Sequence, residues 1–94
     1  MLTTGGLRPN GMSAFASRVY DVLQVYTVSP WNVLKVECSW RGVDPFTLEA
    51  PQLEPLLPRL CSHVARMTDD DNGRALGDAL RILIDAPAPI TFDF

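Results

Sequence analysis

Leu34, Val36, Cys38 and Trp40 alternate strictly with Lys35, Glu37, Ser39 and Arg41. On a pleated strand a period of two places four large side chains on one face and four polar ones on the other. Residues 32–41 are therefore predicted as a half-buried strand. The turn residues Gly42-Val43-Asp44-Pro45 follow. Phe46, Leu48 and Ala50 then alternate with Thr47 and Glu49, so the pair predicts an antiparallel hairpin. At the far end Ile90, Phe92 and Phe94 alternate with Thr91 and Asp93 and predict a last strand.

Helical spacing governs three other stretches. Phe15, Val19, Val22, Leu23 and Tyr26 recur three and four apart after Ser13, an N-cap residue, and predict a helix over 13–26. The β-branched and aromatic residues of 19–28 leave a strand over its second half as the alternative. Ser29-Pro30 ends the element in either case. Pro55 and Pro58 fit the first turn of a helix beginning near Glu54, with Leu57, Leu60, Cys61, Val64 and Met67 as its apolar stripe. Thr68 to Gly73 breaks that helix. The next spans 72–85, capped by Asp71 or Asn72 and buried through Ala75, Leu76, Ala79, Leu80 and Leu83. Arg74–Asp78 and Arg81–Asp85 are expected as pairs on its wet face. Pro87 and Pro89 stop it.

The order is thus α-β-β-α-α-β. It predicts an α+β fold in which a small antiparallel sheet of two to three strands is covered on one face by two to three helices. Residues 1–11, with Gly, Pro and Asn and no periodicity, read as a flexible leader. Residues 12–94 read as one domain, and 94 residues suffice for one modest core.

Composition narrows the function classes. Hydrophobic residues make up 47 %, which argues against disorder. The net charge of −3 repels phosphate backbones and makes general nucleic-acid binding an unfavoured reading. Cys38 and Cys61 are too few for a disulfide framework and read as buried free thiols in a reducing cytoplasm. No run approaches the length of a membrane span, and no secretory signal is visible. A single lysine, Lys35, against seven arginines hints at a high-GC bacterial or phage genome.

Candidate chemistry is sparse. Cys61 and His63 suggest a thiol with its base, but helix positions two apart point about 200° from each other. His63 shares the exposed stripe with Arg59 and Arg66, whereas Cys61 shares the buried one. Zinc would need four ligands, and no C-x-x-C or H-x₃-H spacing occurs. Thr68, Asp70, Asn72 and Gly73 match half of a calcium loop, but its twelfth position falls on Ala79 rather than glutamate. No phosphate loop or hydrolase motif is present. No cofactor and no metal are expected, and the chain reads as not an enzyme.

The leading expectation is a small acidic protein-binding module. It docks on a larger partner, such as one with a basic surface, and inhibits or modulates it, as inhibitors, immunity proteins and phage anti-defence proteins do. Asp69, Asp70 and Asp71 would steer the approach, and Trp31, Phe92 and Phe94 would supply apolar contacts. Two alternatives stand beside it. One is a homo-oligomeric assembly adaptor or chaperone, a homodimer formed through the edge strand or the Gly73-x-x-x-Gly77 side of the last helix. The other is a DNA-binding regulator that uses Arg59, Arg66, Arg74 and Arg81.

Overall fold

The computed structural model describes residues 11–85. Within them Ser13 opens the first helix as its spacing predicts: α1 spans Ala14–Tyr26, and the Ser13 hydroxyl accepts from the Ala16 N–H at 3.1 Å. Phe15, Ala16, Val19, Tyr20 and Leu23 form its buried stripe.

The alternating segment is a helix. Pro30 occupies the first turn of α2 (Pro30–Trp40), where its missing N–H costs nothing. Pro30, Val33, Leu34, Glu37 and Cys38 are its buried residues. Their spacing (i, i+3, i+4, i+7, i+8) is the stripe of a helix packed on a core. The four members of the expected strand face divide: Leu34 and Cys38 are fully buried, while Val36 and Trp40 are 45 % and 59 % exposed. The Gly42 turn ends a helix rather than joining two strands. Gly42 sits at a positive φ of 70°, in the left-handed region. It donates to the Ser39 carbonyl, and Val43 donates to the Cys38 carbonyl at 2.8 Å. The two bonds close a Schellman cap.

The expected second strand is helical too. Pro45–Thr47 is a 3₁₀ turn in which Asp44 accepts from the Phe46 N–H at 2.9 Å, and α3 (Ala50–Leu53) is a single turn. A second 3₁₀ turn, Glu54–Leu56, leads into α4 (Leu57–Met67), which carries Pro58 in its first turn. After a two-residue corner, α5 runs over Asp70–Asp85.

The described residues are therefore 81 % helical and contain no strand. The α+β architecture with an antiparallel sheet is overturned in favour of an all-helical fold. The strand expected at 90–94 lies outside the described residues.

α4 is the centre of the packing. It lies against α5 on one side and α2 on the other, and α1 closes the bundle against α5 and α2. Leu57, Leu60 and Val64 of α4 meet Leu76, Leu80 and Leu83 of α5 in a core shared with α1 and α2. Several members of the expected stripes sit differently: Val22, Tyr26, Cys61, Ala75 and Ala79 are half-buried and Met67 is exposed.

The α4–α5 seam is very close. A Cβ on Gly73 would fall 2.7 Å from the Cys61 carbonyl oxygen, and one on Gly77 would fall 2.9 Å from the Cys61 Sγ. The glycine side of α5, expected as a surface for self-association, is thus used inside the monomer.

Candidate functional site

Glu37 is the least expected member of the α2 stripe. It is 3 % exposed, and each carboxylate oxygen has its own partner on α4. Arg59 Nε donates to Oε1 at 2.7 Å and His63 Nδ1 lies 2.8 Å from Oε2. Arg59 and His63 are four apart, so one face of α4 delivers both groups to one carboxylate. Burial opposes the charge on Glu37. The hydrogen bonds from Arg59 and His63, and attraction to them, outweigh that penalty and hold its carboxyl below the usual range. An ionised carboxylate only accepts, so Nδ1 is the ring nitrogen that carries the proton.

Arg59 makes a second contact. Its guanidinium carbon lies 3.9 Å from the centroid of the exposed Trp40 ring. The guanidinium carbon of Arg41 lies 6.0 Å from the same centroid. Both are within the reach of a cation–π attraction, and Arg59 is the closer. Trp40 and Val36 are one turn apart on the same side of α2. Arg59 also borders a surface cavity of about 350 Å³, which it lines with Glu37, Pro58, Ser62 and Arg66. Among the described residues Arg66 has no ion-pair partner.

The residues singled out from the sequence are placed elsewhere. Trp31, expected as an exposed anchor, sits half-buried in the first turn of α2 and packs edge-to-face on Phe46, with ring centroids 5.2 Å apart. The acidic residues build a corner. Asp69 caps α5, in place of the expected Asp71 or Asn72, by accepting from the Asn72 N–H at 2.8 Å. Asp70 stands in the first turn, and Asp71 pairs with Arg74 at 3.0 Å in place of the expected Arg74–Asp78 pair. Arg81 pairs with Glu54 at 3.1 Å rather than with Asp85. Phe92 and Phe94 lie outside the described residues.

The thiols are structural. Cys38 is fully buried, and burial pushes its pKa up to about 11, helped by Asp44 and Glu37. Burial, then Asp78, raises Cys61 as well. Cys61 faces Gly77 while His63 faces Glu37, so the two do not form a nucleophile and base. Among the described residues no group of three or more His, Cys, Asp or Glu side chains is placed to hold a metal ion, and no helix is long and apolar enough to cross a membrane.

Three of the four arginines of the DNA-binding reading are engaged by Glu37, Asp71 and Glu54. Among the described residues two surfaces join exposed apolar side chains to a cavity: the end of α1, where Val25, Val28 and Met67 line about 400 Å³, and the α2–α4 face, which adds a braced arginine. Sequence reasoning placed Trp40 in the core and Glu37 on a solvent face. The signal for both was the phase of Glu37 with Pro30, Val33, Leu34 and Cys38. Comparison with protein-family models, with curated proteins and with solved structures finds no match.

Proposed function

We propose that this chain is a non-enzymatic protein-binding module that docks on and modulates a larger protein through the α2–α4 face. The observation that carries the reading is Trp40, a large side chain left 59 % exposed yet held in place by the Arg59 guanidinium on its ring. Tryptophan and arginine are enriched in binding hot spots. Arg59 is itself tied to the buried Glu37, so the pair is ordered before a partner arrives, which lowers the entropic cost of association. Val36 adds apolar area on the same side.

The test is retention of a partner from the native host on the immobilised chain, compared between the natural chain and Trp40→Asp. Circular dichroism and melting temperature first establish that the variant folds, which an exposed position favours. A specific protein retained by the natural chain and lost with Trp40→Asp supports the docking face. Equal retention by both chains overturns it.

A further inference from the structure

We infer that the partner presents an acidic segment, one of whose carboxylates seats in the cavity between Arg59 and Arg66. The inference rests on the α2–α4 face being the docking surface and names what that surface accepts.

Charge is the first argument. The chain as a whole carries −3, but this face does not share that sign. Glu37 is buried, and both its oxygens are occupied by Arg59 and His63, so it acts as an internal counter-ion. Arg66, on the cavity wall, and Arg41, beside Trp40, are left as the surplus. The surface is a positive island on an acidic protein, complementary to an acidic partner.

Geometry is the second. A guanidinium has five N–H groups in a fixed fork. Arg59 donates Nε–H to Glu37, and its two Nη groups have no hydrogen-bond partner among the described residues. Those groups form the end-on fork that grips a carboxylate through two parallel bonds. Contact with the Trp40 ring on one side and Glu37 on the other fixes the fork's direction in advance. Ser62 and Arg66 follow at i+3 and i+7, so a hydroxyl donor and a second guanidinium line the same cavity. An apolar residue next to the carboxylate seated on Arg59 would meet Trp40, whose ring Arg59 touches.

Single-stranded nucleic acid is the competing polyanion. It binds by stacking bases on open aromatic faces. Arg59 already covers one face of Trp40, which favours the peptide.

The experiment is an NMR titration of the ¹⁵N-labelled full chain with a capped peptide of alternating glutamate and leucine. A glutamine–leucine peptide of equal length and an oligothymidylate are the comparison ligands. The expected result is saturable shifts at the Arg59 Nε–H, the Ser62 and Arg66 amides and the Trp40 indole N–H. Affinity falls with added salt. Arg66→Glu weakens it by about tenfold or more, the scale of one lost charge-assisted hydrogen bond. Equal affinity for the glutamine peptide, shifts mapping elsewhere, or tighter binding of the oligothymidylate overturns the inference. A second arm uses Asp70→Lys/Asp71→Lys, which spares the capping Asp69. It speeds association with an acidic partner and slows it with a basic one, and slowing also overturns the inference. If a retained partner is lost with Trp40→Asp while the glutamate peptide produces no shifts, the docking face stands and the acidic segment falls.

Discussion

α4 has two seams that differ in kind. Toward α5 it meets glycine: the Gly73 Cα approaches so near that an added Cβ would strike the Cys61 carbonyl oxygen and, at 2.8 Å, the Ala65 Cβ. Toward α2 it meets charge: Glu37 between Arg59 and His63, with a cavity left alongside. The first seam is held by steric fit and dispersion, which reward closeness and forgive no added volume. The second is held by a buried ion whose desolvation is offset only while its partners stay in place. One seam stabilises the bundle; the other leaves donors and an aromatic ring facing outward.

The contrast is broken most severely by stripping the polar seam. Replacing Arg59 and His63 together with alanine leaves Glu37 buried without a counter-charge. It is expected to cost about 3 kcal/mol, the low end for an orphaned buried charge because Arg59 is partly solvated. Adding Glu37→Leu to that pair should recover most of the loss, as read by urea denaturation. No recovery would mean that the cost lies in packing.

Gly73→Ala attacks the other seam. Alanine improves helix propensity by about 1 kcal/mol. The obstacle, however, is a backbone carbonyl that cannot rotate away. A net loss of about 1–3 kcal/mol is therefore expected from overpacking. The same denaturation measurement checks it.

Acid should weaken only the polar seam. The Glu37 carboxyl titrates lower in the folded chain than the ordinary 4.5. Its contribution is therefore complete above about that pH and is lost as pH falls through the lower folded value. In a stability-against-pH series, Glu37→Gln should start less stable at neutral pH and converge toward the natural chain below pH 4.5. Parallel curves would remove Glu37 from the acid response.

The smallest effect is expected at Gly77, where an added Cβ meets the Cys61 Sγ, a side-chain atom that can move. Gly77→Ala alone should change stability by no more than about 0.5 kcal/mol, because the propensity gain offsets the crowding. Combined with Cys61→Ala it should gain up to about 1 kcal/mol in thermal unfolding. A gain for Gly73→Ala in the same background would erase the distinction between a yielding and an unyielding neighbour.

Much of the helical content was legible. Ser13 and Pro30 bracket α1 as their cap and breaker chemistry requires, and the Leu57–Val64 and Leu76–Leu83 stripes mark α4 and α5. The error at α2 came from reading Glu37 as a solvent residue. Without it, Leu34, Val36, Cys38 and Trp40 keep a period of two; with it, the stripe from Pro30 to Cys38 has the period of a helix. A glutamate joins a buried stripe only because Arg59 and His63, 22 and 26 residues later, neutralise it. No local window contains that information. The same distance hid the candidate site. Arg59, Arg66 and His63 were recognisable as one helix stripe, but their meeting with Glu37 and Trp40 depends on how α2 lies across α4.

Asn72 precedes Gly73, the dipeptide most prone to spontaneous deamidation, because a following glycine lets the backbone nitrogen attack the side-chain amide. Here both reactants are occupied. The Asn72 amide donates to the Tyr26 carbonyl at 2.9 Å and to the Thr68 hydroxyl at 3.0 Å, while the Gly73 nitrogen is bonded to the Asp69 carbonyl. Ageing at this bond is thereby confined to molecules that have opened, and once aspartate forms there it sets a carboxylate against the Tyr26 carbonyl. The modification thus accumulates in proportion to the time spent open, and it hinders the return.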